Sequence, residues 1–483
     1  MSSSNEARVD GHLQPVHFDL WLPRGPQISW QVLSLRGREA LSQPFGFTLE
    51  LWCDDPQADL TAVLGADCEL LLERNGLERR VYGLIAEVEL LFSAELQREH
   101  VEGVGARVEV VPALALLAHE SDTRFFTGQS VPEIVAALLG ARLGAYGRSL
   151  DCASRLVAGY PRRDYCVQFR ESTLDFCARL LAEEGIAYFF EADHDAQRER
   201  MVLCDENPRD RSVELVVPEP MPVGVHDPEE LDRESLQALH QRHGRGARRV
   251  LTRGYNYKLG GPQAPGAHDD GLAESPADVG EVALDLVLDQ PRRQIIDDPR
   301  DDPEATHFDG SALDQQPGLA RRLLEQRRVN TDVGRGQGNA IGFTVGAVFE
   351  VEPSEQLPGA GKFLLTQVEH VGRGPSGALD QREHYHNQFR CIADDRPYRP
   401  PIPAKPRVHG VQTGVVVGKT RDEVHTDALG RVRVAFANRS GDLDEHATCW
   451  IRVAQVWAGP GYGAMVIPRV GMEVVVAFVD GDP

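Results

Sequence analysis

Apolar residues recur at every second position in several short stretches of this 483-residue chain. A period of two commits a segment to a half-buried β-strand, one face packed and the other in water. In "QPFGFTLELWC", Phe45, Phe47, Leu49 and Leu51 fall in one phase. In "GRVRVAF", Val432, Val434 and Phe436 point one way while Arg431 and Arg433 point the other. Between the apolar runs "CELLLER" and "LERRVYGLIAEVELLF" stands Asn75-Gly76, a pair that tolerates the positive φ angles of a tight hairpin. Residues 1–118 are therefore expected to form an antiparallel, barrel-like domain.

The middle of the chain adds helices. "SVPEIVAALLGARLG" opens with a capping box from Ser130 to Glu133, has Pro132 in its first turn, and carries Ile134, Val135, Leu138 and Leu139 as one stripe. "ESTLDFCARLLAEEGIAYFFEAD" repeats the device with Ser172 and Asp175, sets Leu174, Cys177, Ala178 and Leu181 on one side, and stops at Gly185 before a strand. Residues 119–207 thus read as an α/β region. Residues 208–396 return to β character. "RRVLTRGYNYK" (248–258), "GNAIGFTVGAVFEVEP", "GKFLLTQVEHVGR" and "REHYHNQFRCIA" (382–393) read as strands, with a helix at 317–328. This region carries an acidic insertion at 268–310, expected to be a solvated loop, with a cation site or a docking surface for a basic partner as the sharper alternative. Its spacing does not match a calcium loop.

Five prolines in "PYRPPIPAKPRV" (397–408) fix φ and remove amide donors, so this run is an extended linker. Beyond it, "GVVVG", "GRVRVAF", "CWIRVAQVW" and "MEVVVAFV" read as short strands of a small barrel of the OB type over residues 409–483. The fold class is mainly β with α/β insertions: tandem barrels, then an OB barrel.

Composition excludes several functions. A net charge of −23 disfavours unspecific binding to nucleic acid or anionic membrane. The arginines of the last barrel, Arg431, Arg433, Arg452 and Arg469, would suit an oligonucleotide only with a series of exposed aromatics, which is missing. Arginine also suits protein interfaces. No apolar run reaches the 18 residues of a membrane helix, and "MSSSNEARVDGHLQP" lacks the basic-then-apolar signal pattern. Eight scattered cysteines form no CxxC pair and are expected to be reduced and mostly buried.

Chemistry is equally sparse. The sequence has no GxxxxGK[ST], HExxH or GxSxG motif. "GRGQGN" (334–339) and "GPGYG" (459–463) are expected to be turns or bulges rather than nucleotide loops. His384 and His386 share a strand face, but no cysteine or carboxylate cluster completes a metal site. Glu171 with Asp175, and Glu183 with Glu184, sit at the two ends of one helix, where capping explains the acidic pair at its start better than a glycosidase pair does. No catalytic residue, cofactor or metal is expected, and the chain does not read as an enzyme.

The stretches "QPFGFTLELWC", "RFFTGQSVPEIV", "YCVQFRESTLDFCARLLAEEGIAYFFE", "ADDRPYRPPIPAKPRVHGVQTGVVVG", "TDALGRVRVAF" and "CWIRVAQVWAGPGYGAMVIPRVGMEVVVAFVDGDP" resemble, in order, the VgrG family of type VI secretion spikes. The resemblance implies a phage hub-like collar with two barrels per chain, three chains adapting to a hexameric tube, then an OB domain like that of a phage tail spike and a trimeric β-helix needle. It implies a homotrimer seated on the Hcp tube ring, baseplate proteins around it, a PAAR-type tip and effectors above it, and no nucleic acid. The protein would reside in the bacterial cytoplasm before firing and be driven into a target cell by sheath contraction without a signal peptide. Interface positions expected from it are Arg431, Trp450, Arg452, Trp457, Pro468, Arg469 and Glu473, the tryptophans being more often core than contact, with Arg469 and Glu473 paired with neighbours. Three departures stand out: "FANR" at 436–439 lacks the family's aromatic–Asp pair, the second hub barrel carries the acidic insertion at 268–310, and "GDP" at Pro483 ends where the needle would begin. The isolated chain is therefore expected to trimerise weakly or not at all. A tail hub of a contractile phage, or a spike-linked peptidoglycan hydrolase, are the alternatives.

Overall fold

The computed structural model describes residues 13–483 apart from 27, 93–102, 164, 225–232, 245, 247–248, 254–265, 269–284, 290–294, 297–315, 354–360, 375–384, 420–422, 428, 437–446 and 460. The period-two segments become strands: β1 (His17–Trp21), β2 (Trp30–Ala40), β3 (Gly46–Cys53), β4 (Asp67–Arg74), β5 (Leu77–Leu91) and β6 (Val104–Val111). They pair in the order β1-β4-β5-β6-β3-β2. Asn75 and Gly76 turn β4 into β5 at φ 50° and 82°. The phase read from the sequence is the buried one: Phe45, Phe47, Leu49 and Leu51 join Leu35, Leu70, Leu72 and Val108 in one core.

The middle region comprises β7 (Ser121–Phe126), α1 (Val131–Ala145), β8 (Ser149–Arg155), β9 (Cys166–Ser172), α2 (Thr173–Glu183), β10 (Ala187–Asp193) and β11 (Arg198–Cys204). Both caps form. The Ser130 amide donates to Glu133 Oε2 at 2.8 Å, and the Asp175 amide donates to Ser172 Oγ at 2.9 Å. The helices meet in a second core through Ile134, Val135, Leu139, Phe176, Cys177, Leu180 and Leu181; the buried stripe of α2 thus runs through Phe176 and Leu180, while Leu174 and Ala178 are half-buried.

The large sheet then resumes with β12 (Leu236–His243), β13 (Asp332–Gly338), β14 (Val348–Glu350), β15 (Lys362–Arg373) and β16 (Tyr385–Ala393); α3 (Gln316–Arg328) precedes β13. β15 pairs directly with β2, so one eleven-stranded sheet runs through both halves, continuing β2-β15-β16-β13-β12 with β14 on β15. Each half folds over its own core. Most of the acidic insertion lies outside the described residues; within it Asp285–Asp289 pairs with Arg249–Arg253 and Ile295–Ile296 with Arg162–Arg163, so it is not loop throughout.

Two readings change. "GRGQG" is no turn but β13, hydrogen-bonded on both sides. Its glycines let side chains of β16 lie across it: a Cβ at Gly336 would overlap the Phe389 ring and press within 2.7 Å of the Ala238 carbonyl oxygen. Conversely, only Val348–Glu350 of "GNAIGFTVGAVFEVEP" is strand. Its apolar residues Ala340, Ile341 and Phe343 plug the core as a loop, and side chains replace the ladder: the Ile341 amide donates to Glu234 Oε1 (2.9 Å) and Asn387 Nδ2 donates to the Ala340 carbonyl (2.7 Å).

The proline run 397–408 has no helix or strand. It is strapped down by Arg399, which donates to Glu325 Oε2 (2.7 Å) and to the Gly185 carbonyl (3.0 Å). The last segment holds β17 (Val411–Val417), β18 (Arg433–Phe436), β19 (Trp457–Gly459), β20 (Tyr462–Ala464) and β21 (Glu473–Ala477). β17 is central, antiparallel to β18 and β21, while β19 and β20 form a separate hairpin around "GPGYG". "CWIRVAQVW" is not one strand: Ile451 makes a single bridge to Val432, and regular pairing begins at Trp457.

Candidate assembly surface

The strands of the last barrel are apolar on both faces. Inward, Val416, Val434, Phe436 and Val476 form a core with Ile451, Val453, Ile467 and Phe478. Outward, Val411 stands opposite Ala477, Thr413 opposite Val475, and Val415 opposite Glu473. On this face Val411 and Val475 are 60% and 65% exposed. A second stretch of the last segment is barer still: Val456, Trp457, Tyr462, Met465 and Val466 all lie open, with Trp457 at 68%. The Trp457 and Tyr462 rings touch each other at 5.7 Å, stiffening the hairpin without covering it. A stretch this apolar at the surface of one chain marks a contact surface.

The seven residues singled out from the sequence divide between core and surface. Arg431 is buried, paired with Asp427, whose Oδ1 accepts from the Arg431 amide at 2.8 Å. Trp450 is buried under the Arg433 guanidinium at 4.5 Å and beside His425 at 5.1 Å. Arg433, expected to point to water, therefore packs on an aromatic face. Trp457, Arg452, Arg469 and Glu473 are exposed and Pro468 is half-buried. Within the chain Arg469 pairs with Glu423 rather than with Glu473. The exposed valines 411, 415 and 475 were not singled out. For Val415 and Val475 the signal was present: "GVVVG" and "VVVAF" are apolar in both phases, the mark of a strand covered on both faces.

The carboxylates that invite a catalytic reading are held by arginines. Arg179 bridges Glu171 (2.6 Å) and Glu183 (3.1 Å), and Arg163 bridges Glu183 (2.8 Å) and Glu184 (2.5 Å). Burial pushes the Cys391 thiol up to about 12, away from reactivity, and Cys204 likewise. His384 lies outside the described residues, and among those described no group of three His, Cys, Asp or Glu could hold a metal.

Residues 38–376 match the family described as phage tail baseplate hub (GPD), and residues 412–483 match the type VI secretion system/phage-baseplate injector OB domain. The chain is 33% identical to the type VI secretion system spike protein VgrG4b of Pseudomonas aeruginosa, over 97% of its own length and 55% of that protein's. It is also 33% identical to VgrG5 of the same organism, covering 94% and 54%. The chain thus spans about half the length of these curated relatives. In fold it is similar to the E. coli c3393 protein, a type VI secretion component likened to the bacteriophage T4 tail proteins gp27 and gp5, with a TM-score of 0.60 at 20% identity, covering 96% of this chain and 97% of that one. A Francisella PdpA-VgrG complex is similar at a TM-score of 0.54 and 7% identity, covering 96% and 76%. The hub match covers more than half of the chain and the injector OB match follows it, and the chain belongs to the phage tail baseplate hub family and is VgrG-like.

Proposed function

We propose that this chain is the hub and barrel part of a type VI secretion spike, a structural element that assembles as a homotrimer, sits on the Hcp tube ring within the baseplate, and is driven outward by sheath contraction carrying a PAAR-type tip and effectors. The observation that carries this reading is the outer apolar face of the small barrel. Each valine or aromatic of that face gains roughly 2 kcal/mol when covered. A second copy presents the same face, and three-fold closure would cover all three. The relatives, matched across nearly the whole of this chain, are named as secretion spikes, which favours secretion over a contractile phage tail. A structural rather than catalytic role is supported by the arginine-bound carboxylates. One relative, the actin cross-linking toxin VgrG1 of Vibrio cholerae, is matched over only 39% of its length. The protein would be made in the cytoplasm; among the described residues no helix is long and apolar enough to cross a membrane.

In the native bacterium, deleting the gene should abolish release of the tube protein into the medium, and a Val475→Asp, Trp457→Asp double variant should reproduce the deletion while remaining folded. Undiminished release in the deletion strain would sink the proposal. Light scattering of the purified chain tests the trimer separately: weak or concentration-dependent association is expected, lost in the double variant.

A further inference from the structure

Most arginines of this acidic chain come with carboxylates. Arg80 pairs with Glu69 and Glu78, Arg107 with Glu50 and Glu89, Arg148 with Asp67 and Glu199. Six do not. Arg36, Arg38, Arg242, Arg335, Arg373 and Arg390 are exposed, and none has a carboxylate within ion-pair distance among the described residues. Arg36 feels Glu50 at longer range.

The six share one face. Antiparallel partners in register point to the same side of a sheet. Arg335 stands opposite both Arg390 on β16 and His240 on β12, and Arg242 opposite Val333. Arg390 is opposite Gln367, Arg373 opposite Ser34, and Arg38 opposite Glu369. The inward phase of the same strands, with Leu35, Val368 and Phe389, is core, so the arginine phase is the outward one. Glu369 is the lone carboxylate among them and is hydrogen-bonded by Gln367 at 2.9 Å. On the same face of β3, β5 and β6 the sign reverses to Glu50, Glu87, Glu89 and Glu109, with Arg107 already committed to two of them.

Two arginines directly opposite across a ladder cost stability, and nothing in the described residues offsets Arg335 against Arg390. From β2 to β12 the array spans four strand spacings, roughly 19 Å, the width of a protein contact rather than of a small anion. Among the described residues of this face no Phe, Tyr or Trp stands between the arginines to stack a base. We propose that the outward face of β2, β15, β16, β13 and β12 is a docking surface for a partner protein that presents a carboxylate-rich patch. Arginine's planar fork would take those carboxylates bidentately, and the contact would weaken with salt. The inference is independent of the apolar barrel face and of the trimer.

The test uses the full chain and a fluorescently labelled oligoglutamate peptide, read by anisotropy. The expected result is measurable binding that weakens by about tenfold or more in Arg335→Glu, Arg390→Glu and in Arg36→Glu, Arg38→Glu double variants, and falls with ionic strength. Arg209→Glu, exposed but off this face, should change affinity less than about twofold. The neutral pair Arg335→Gln, Arg390→Gln should fall between wild type and the reversed pair, which separates charge from misfolding. Equal weakening by Arg209→Glu, or no binding by the wild type, would overturn the proposal. So would tighter binding of an oligothymidylate of equal charge, which would assign the face to nucleic acid instead.

Discussion

His370 is fully buried where β2 and β15 join the two halves of the hub, and it shows how single residues hold this molecule together. Its Nε2 lies 2.9 Å from Glu39 Oε1 and its Nδ1 2.7 Å from the Tyr385 hydroxyl. Thr344 Oγ1 donates to Glu39 Oε2 at 2.8 Å, and Arg79 pairs with the same carboxylate. Burial, reinforced by the Arg79 charge, pushes the imidazole below its ordinary 6.5. Burial would raise Glu39, but Arg79 and His370 outweigh it and hold the carboxyl far below its ordinary 4.5. Both shifts act in one direction. An unfolded chain takes up a proton at His370 as pH falls through 6.5 and at Glu39 as it falls through 4.5, while the folded chain resists both. The thermal midpoint should therefore be level above pH 7 and fall in two stages below it; His370→Gln should remove the upper stage. A midpoint that rises between pH 6.5 and 5 would contradict this network. Glycines give a second check. Gly336→Ala should cost about 2 kcal/mol in denaturant unfolding, because the added methyl meets Phe389 and a backbone oxygen. Gly140→Ala, mid-helix with open space around it, should stabilise by about 0.5–1 kcal/mol. The sequence pattern hid this difference: both are glycines within runs, and only the packed neighbour tells them apart.

At the scale of elements, local signals were legible and long-range ones were not. The caps of α1 and α2 and the Asn75-Gly76 hairpin lie within a few residues of what they organise, so they could be read directly. β13 could not, because what permits its glycines is Phe389 and Cys391 on a distant strand. Nor could the loop at Ala340–Val345, whose apolar residues look like a strand but whose backbone is satisfied by Glu234 and Asn387. Arg179 illustrates the same limit. It is 2% exposed inside α2, in what reads as an ordinary helical charge, yet it joins Glu171 and Glu183 and lies 5.4 Å over the Phe176 ring. Arg179→Ala should leave the poorly solvated Glu171 unmatched and Glu183 with Arg163 as its remaining partner, and cost about 3 kcal/mol, measured by urea unfolding. Replacing it with methionine while changing Glu171 and Glu183 to glutamine should recover much of that loss. If the single variant unfolds like wild type, α2 is not anchored by this triad.

For the whole molecule the question is how a hub and a small barrel behave as one body when a proline run without regular structure joins them. The contact is aromatic. Tyr165 and Phe125 stack at 5.8 Å, Phe125 and Phe436 at 5.8 Å with planes only 14° apart, and Phe436 meets Phe478 at 6.1 Å. Phe125 and Tyr165 belong to the hub, Phe436 and Phe478 to the barrel, so the stack crosses the boundary, and Phe125 packs against both the barrel core and the small cluster of Val167, Phe169 and Val408. The Lys405–Asp482 pair closes the linker onto the end of the chain beside it. An ion pair this exposed contributes little, whereas truncating a stacked phenylalanine costs roughly 3–5 kcal/mol. Calorimetry of the wild type should then give one cooperative transition in which hub and barrel unfold together. Phe125→Ala should split it, the barrel melting first and the hub near its original temperature, because Phe125 belongs to none of the hub's three large cores. Lys405→Ala should leave the single transition intact. Separate transitions already in the wild type would mean that the stack does not couple the two parts. A force delivered at the hub would then reach the barrel only through the proline run, which Arg399 holds to the hub side alone.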